Sequence, residues 1–166
     1  MTPAELLHPL VRASLDALGV AYEAIKCDPA LADTAAFVEA YRIPPDQSAN
    51  TILVASKGAE PVYVACVLLA TTSLDVNNAV RREMGVRKAS FARADPVREL
   101  TGMEIGGVTP FGLPENMPVV VDAHVMRPPW VVLGGGNRSS KLRIAPHALR
   151  SIPTLRIVEG LATERR

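Results

Sequence analysis

The stretch Thr101-Gly102-Met103-Glu104-Ile105-Gly106-Gly107-Val108-Thr109-Pro110-Phe111-Gly112 holds the residue types best suited to chemistry. Glycines with a rigid proline hold a loop in conformations that other residues resist. Such a loop can aim several backbone N–H groups into one concavity, where they bind an anion or an ester oxyanion. A second segment, Gly134-Gly135-Gly136-Asn137-Arg138-Ser139-Ser140-Lys141, superficially matches a phosphate loop. It lacks the Gly-Lys-Ser/Thr ending, and no long helix follows to hold the anion. Ser140 and Lys141 make a poor dyad, because neighbours on a strand point to opposite faces. The chain has no Gly-x-Ser-x-Gly elbow, no His-Glu-x-x-His and no Cys-x-x-Cys. His8, His124 and His147 do not cluster, and His124, two residues after Asp122, is an outside candidate for acid–base work. Cys27 and Cys66 are too few and too far apart for a zinc site or a disulfide framework. No metal or organic cofactor is expected.

The elements around these loops can be read from periodicity and punctuation. Leu6, Leu7, Leu10, Val11, Leu15 and Leu18 predict an amphipathic helix over Pro3–Leu18, stopped by Gly19. Val20–Ile25 alternates as a half-buried strand, and Asp33 or Thr34 can cap a helix that Pro44-Pro45 ends. Thr51–Ala55 and Val62–Leu69 predict a β-hairpin with a six-residue loop. Ser73 or Asp75 begins a helix running to Met84, Val86–Ala92 is a short strand, and Asp95-Pro96 reads as an N-cap with proline at the first helical position. Val119–Asp122, Trp130–Leu133 and Lys141–Ile144 are extended, Pro146–Leu149 starts a small helix, and Leu155–Val158 is a last strand or coil. Residues 159–166 read as a frayed tail. The expected class is therefore α+β: one domain over 1–158 with a curled, mixed, barrel-like sheet of about six strands and helices packed around it. The hairpin argues against a purely parallel sheet.

Composition narrows the partners. The 166 residues are 48% hydrophobic and 21% charged, which suits a globular domain rather than a disordered chain. Only seven aromatic residues are present, so the core must come mainly from Val, Leu, Ile and Ala. The formal charge of +1 does not by itself call for nucleic acid. Its distribution is uneven: residues 1–49 hold three bases and seven acids, whereas Arg127–Val158 holds six bases and no acid. A basic C-terminal half can present a phosphate-binding face, although solvated charges on separate faces explain it equally well. The longest apolar run, Val62–Ala70, is nine residues, well short of a membrane span, and the N-terminus lacks a signal-peptide pattern. A cytoplasmic protein is expected.

The segment Leu100–Gly112 resembles the hallmark of the YbaK/EbsC family, the editing domain also found in bacterial prolyl-tRNA synthetases, whose pattern is like L-T-G-x-x-x-G-G-V-x-P-x-G. Asp33-Thr34-Ala35-Ala36, Pro44-Pro45-Asp46-Gln47 and Asn50-Thr51-Ile52-Leu53-Val54 are similar to that family's helix, turn and first core strand. Val119–Asp122 and the glycine turn 134–136 before Leu142-Arg143-Ile144-Ala145-Pro146 fit its closing strands, so the likeness spans roughly residues 20–158. The resemblance implies hydrolysis of wrongly charged aminoacyl-tRNA, with contact to an aminoacyl-tRNA synthetase as a further expected partner. Asn50, Gly106, Gly107 and Pro110 are then the catalytic candidates. Tyr22, Thr34, Thr51, Val108, Thr109, Gly134, Gly135 and Gly136 are the substrate-binding ones, and Arg81, Arg82, Lys88, Arg138 and Lys141 are those for tRNA. Two departures stand out. Asn50 occupies the place of the lysine that typical deacylating members carry before this strand, and Lys141 stands where many members have an acid. Asparagine supplies no charge, though it can hydrogen-bond the substrate. The resemblance thus leaves two readings: a free-standing trans-editing hydrolase, or a binding module that keeps the aminoacyl or nucleotide pocket without turnover.

Overall fold

The structure, a computed structural model, describes residues 2–165; Met1 of the expected domain and Arg166 of the expected tail lie outside the described residues. Pro3–Leu6 forms a 3-10 turn and α1 spans Pro9–Leu18, so the first helix is split rather than continuous from Pro3. Proline at 9 disfavours helical backbone in the residue before it. His8 accordingly takes φ −56° and ψ 136° and caps α1, with Nδ1 accepting from the Leu10 amide at 3.1 Å. β1 is Glu23–Lys26, and α2, Thr34–Ala40, follows Asp33 at its N-cap. β2 (Ala49–Ser56) and β3 (Tyr63–Leu69) form the expected hairpin, with Thr51 opposite Val67 and Leu53 opposite Ala65.

β4 is a short strand at Thr72–Leu74. The helix expected after it opens as a π turn, Val76–Val80, capped by the Asp75 carboxylate, and continues as α3 (Arg81–Met84). β5 is Ala89–Phe91, and α4 (Ala94–Thr101) has Arg93 at its N-cap position, two residues before the expected Asp95 and with no side-chain capping bond. Pro96 is thereby the third helical residue, still within the first turn, where the helix does not need its N–H. β6 (Val119–Asp122), β7 (Val131–Gly134), β8 (Ser140–Ile144) and β9 (Leu155–Val158) follow the expected order, and Pro146–Ser151 is a 3-10 helix.

These elements make a single mixed α+β domain. Its main sheet has the order β5-β2-β3-β6-β9, with antiparallel pairs around β2 and parallel pairs around β6. A second sheet, β1-β8-β7, is antiparallel. The sheets do not close into a barrel, and the described residues hold ten strands rather than about six. β3 shows how the core is divided: Ala65, Val67 and Leu69 join Leu15, Phe111, Val121 and Leu133 in one cluster. Val64 and Cys66, alternating with them, join Val54, Val80, Val120 and Leu161 in another. Period-two alternation with both faces covered buries the hairpin strand almost completely. A third, smaller cluster of Cys27, Ala32, Phe37 and Val132 sits under α2. No helix among the described residues is long and apolar enough to cross a membrane.

The expected tail is a correction. Ala162–Glu164 is a strand, β10, paired antiparallel with β4. Leu161 is fully buried, and the Ala162 amide donates to the Asp122 carboxylate at 3.1 Å. Leu161 seals the cluster formed by Val54, Cys66 and Val120, so the apolar burial of one leucine outweighs the fraying of a terminus. Leu161→Ala should lower unfolding free energy by about 2–5 kcal/mol in urea titration; a loss under about 0.5 kcal/mol would mean that the segment is a tail after all.

Candidate active site

The loop 104–107 and the turn 134–137 are locked backbone against backbone. The Gly136 amide donates to the Gly107 carbonyl at 2.6 Å, and the Glu104 amide donates to the Gly136 carbonyl at 3.0 Å. A Cβ on Gly107 would lie 2.2 Å from the Asn137 carbonyl oxygen, and one on Gly134 would lie 2.5 Å from the Gly107 oxygen. Neither contact is tolerable and both partners are main chain, so only glycine fits. The Asn137 side chain closes the turn. Its Nδ2 donates to the Leu6 carbonyl at 2.9 Å, and its Oδ1 accepts from the Ser139 amide at 3.1 Å and the Ser140 hydroxyl at 2.7 Å. The glycine run that looked like a phosphate loop is therefore the clamp that shapes its partner loop.

Beside this interlock lies a cavity of about 250 Å³ between the start of β2, α2, the 105–108 loop and the end of β7. Asn50, Thr51, Thr34, Gly106, Val108, Gly134 and Lys141 of the expected site all line it. Asn50 Oδ1 accepts a hydrogen bond from the Thr34 hydroxyl, which ties β2 to the first residue of α2. Its amide nitrogen has no partner among the described residues, and the buried Thr51 hydroxyl has none either. Gly106, at φ 90°, keeps a free amide, as does Val108. The Gly107 amide is not free, because it donates to the Glu104 carbonyl at 2.9 Å.

Several expected residues stand elsewhere. Gly107, Thr109 and Pro110 are buried behind the cavity wall, and the Thr109 hydroxyl is unpartnered. Tyr22 packs against the main core cluster instead of the cavity. Gly135 and Gly136 serve α1 and the clamp: the Gly135 carbonyl accepts from the His8 amide at 2.9 Å, and Gly136, at φ 87°, abuts His8 and Val11. Arg81, Arg82 and Lys88 do not line the cavity; Arg81 Nε donates to the Asn77 carbonyl at 2.9 Å. Asp122 and His124 are a structural pair, 2.7 Å apart, with the fully buried carboxylate also holding β10.

Of the basic candidates, Lys141 lines the cavity and Arg138 stands next to it, and both make hydrogen bonds within the domain. Arg138 bridges three segments at the cavity rim, donating to the Pro29 carbonyl at 2.8 Å, the Asp33 carboxylate at 3.1 Å and the Ile105 carbonyl at 3.1 Å. That hydrogen bond, reinforced by the guanidinium charge, holds the Asp33 carboxyl below the usual carboxylate range. Lys141 is 6% exposed and reaches inward from β8. Its Nζ donates to the Ala32 carbonyl at 2.7 Å and the Gly106 carbonyl at 3.1 Å, and lies 5.2 Å from the centre of the Phe37 ring. Desolvation pulls the ammonium below its ordinary value of 10.5, with Arg138 acting in the same direction and Cys27 and Asp33 against it. Sequence reading missed Asp33, Phe37 and Ile105 as lining residues. The i, i+3 spacing from Thr34 to Phe37 on α2 was the available signal for Phe37.

A mixed sheet flanked by short helices, with a glycine-clamped loop beside the first core strand, makes this an α+β domain with a cavity at the seam of its sheets. The chain belongs to the aminoacyl-tRNA editing domain family, whose model matches residues 28–152. Uncharacterized protein YwhH of Bacillus subtilis (strain 168) is 32% identical over 83 residues, which are 50% of this chain and 53% of that protein. The match thus spans about half the length of that curated relative. Among solved structures, a candidate trans-editing enzyme for prolyl tRNA synthetase superposes with a TM-score of 0.80 at 20% identity, covering 99% of both chains. Hypothetical protein APE2540 superposes with a TM-score of 0.81 at 24% identity, covering 93% of this chain and 99% of that one. At these identities the structural likeness carries the fold.

Asn137→Ala leaves the Leu6 carbonyl and the Ser139 amide without partners and should cost about 1–3 kcal/mol of stability in denaturant melts. Lys141 gives a pH signature of known sign. Its folded value is lowered, so the unfolded chain binds the proton more tightly. Wild-type stability relative to Lys141→Gln should rise with pH as the folded group deprotonates, up to the unfolded value of 10.5. A flat difference across that window would show that Lys141 is not desolvated.

Proposed function

We propose that this chain is a hydrolase acting in trans on the ester of mischarged aminoacyl-tRNA. The observation that carries the reading is the pair of unpartnered amides, Gly106 and Val108, on the wall of a cavity that Asn50 and Thr51 also line. A water oxygen bonds to the ester carbon, the bond from carbon to the ribose oxygen breaks, and the proton from water passes to that ribose oxygen, with the vicinal hydroxyl assisting. The carbonyl oxygen carries negative charge in between. Fixed N–H donors help most there, because they need no reorganisation as the charge grows, and each is worth about 3–4 kcal/mol in acyl-transfer sites. The donors available are the Gly106 and Val108 amides, with the Gly107 and Pro110 backbone acting through loop rigidity. Asp33 at the rim is the carboxylate that can face the substrate's α-ammonium.

The tRNA body needs a cationic track outside the cavity. Lys57, Arg87 and Lys88 border one surface depression, with Arg81 and Arg82 on the helix before it, and these are the residues to meet phosphates. A synthetase contact fits the trans mode, as the name of the prolyl relative suggests.

One observation favours the second reading, a module that binds without turnover: Asn50 is neutral and its Oδ1 is already consumed by Thr34. A deacylation panel over mischarged tRNAs separates the two. Gly106→Ala places a Cβ 2.3 Å from Arg138 Nη1 and strains a residue at φ 90°, so kcat/KM should fall about 10²–10³-fold with KM little changed. Saturable binding of charged tRNA with no turnover on any member of the panel would replace the enzyme by the module.

A further inference from the structure

The cavity is lined by several residues whose donors are unpartnered among the described residues. Asn50 Nδ2, the Gly106 amide and the Val108 amide line it without partners, and the buried Thr51 hydroxyl is likewise unpaired. Two protons of the Lys141 ammonium go to the Ala32 and Gly106 carbonyls, and the third has no partner among the described residues. No carboxylate lies within ion-pair distance of Lys141 among the described residues, and Asp33, the one carboxylate lining the cavity, is paired with Arg138. Two carbonyl dipoles and the face of Phe37 offset the buried charge without neutralising it. A buried cation with a spare N–H, in a cavity that a residue with an unpaired hydroxyl also lines, is a receptor for a negatively charged oxygen.

We propose that Lys141 makes this cavity an anion-accepting subsite, which selects a substrate carrying a carboxylate or phosphate oxygen at that position. The identity of the substrate rests on the deacylase reading. An aminoacyl ester has no free α-carboxylate, so the anion comes either from an acidic side chain of the aminoacyl group or from the phosphate of the terminal nucleotide. Lys141 is a specificity-determining residue in this account, and its two carbonyl bonds also hold the Gly106 loop against the segment before α2.

The test uses the full chain and two kinds of probe. Acetate and inorganic phosphate, titrated against the Gly106 and Val108 amide resonances, should shift them in wild type and in Lys141→Arg but not in Lys141→Gln, which keeps a donor and loses the charge. Stable amide analogues then identify the source of the anion. If it is the side chain, 3′-aspartylamino-3′-deoxyadenosine should bind at least tenfold more tightly than its asparaginyl counterpart. If it is the terminal nucleotide, the gain should appear on adding a 5′-phosphate instead. Should Lys141→Gln fail to fold, the wild-type comparison of aspartyl with asparaginyl, and of phosphorylated with unphosphorylated analogue, decides alone. Binding indifferent to charge in wild type, or a preference unchanged in Lys141→Gln, overturns the proposal. An anion response that depends on Lys141 in a protein that deacylates no tRNA would sink the hydrolase reading and leave the anion subsite standing.

Discussion

The site depends on one close approach of main chain to main chain. Gly107 and Gly134 pack with no room for a methyl group, and the bond from the Gly136 amide to the Gly107 carbonyl fixes the two segments at 2.6 Å. Side chains cannot bring two backbones this near. Once they are that near, the loop has few conformations left, and the direction of each amide is set by covalent geometry. The Gly107 amide closes the loop on Glu104, whereas the amides of Gly106 and Val108, which both line the cavity, have no partner among the described residues. Glycines and one well-bonded asparagine are thus what the interlock requires of the sequence.

The surrounding layers hold that interlock in place. β7 ends at Gly134 and β8 begins at Ser140, so the turn is the hairpin connection of the three-stranded sheet. β2 brings Asn50 and Thr51 from the other sheet, and Ser48 bridges to Val132 where the two sheets meet. α2 adds Thr34 and Phe37, while Arg138 straps the rim by joining Pro29, Asp33 and Ile105. The cavity is thus a seam between the two sheets, closed on one side by α2 and on another by the clamped loop.

How much of this was legible in the sequence follows from the range of the interactions. The hairpin β2–β3 showed because its apolar runs and its Gly-Pro loop are local signals, and of the motif loop 106–110 only Gly106 and Val108 share a cavity with β2. β10 did not show. Its partner is about ninety residues away, its residues are mostly polar, and a single leucine at 161 provides the burial. Pro9 is a local signal that the Pro3–Leu18 periodicity overrode, although proline's effect on the residue before it decides the break. Within the site, the sequence could say that Gly107 needs to be glycine, but not which of its backbone groups would be free. A hydrogen-bond partner such as Glu104 is chosen by the folded loop, not by composition.

Lys141 shows the limit most clearly, because the same residue supports opposite readings in one and three dimensions. In sequence it sits in a basic, acid-free window and invites assignment to a phosphate backbone. In the fold the parity of β8 turns it inward, where it lies in the same cavity as Asn50. Asn50 and Lys141, the two departures that the resemblance brought out, line one cavity from two strands. A second ammonium in this cavity would repel that of Lys141, besides the desolvation each must bear. A cavity that has taken its cation from β8 has physical reason to keep position 50 neutral, and asparagine meets that requirement while still bonding Thr34 across the seam.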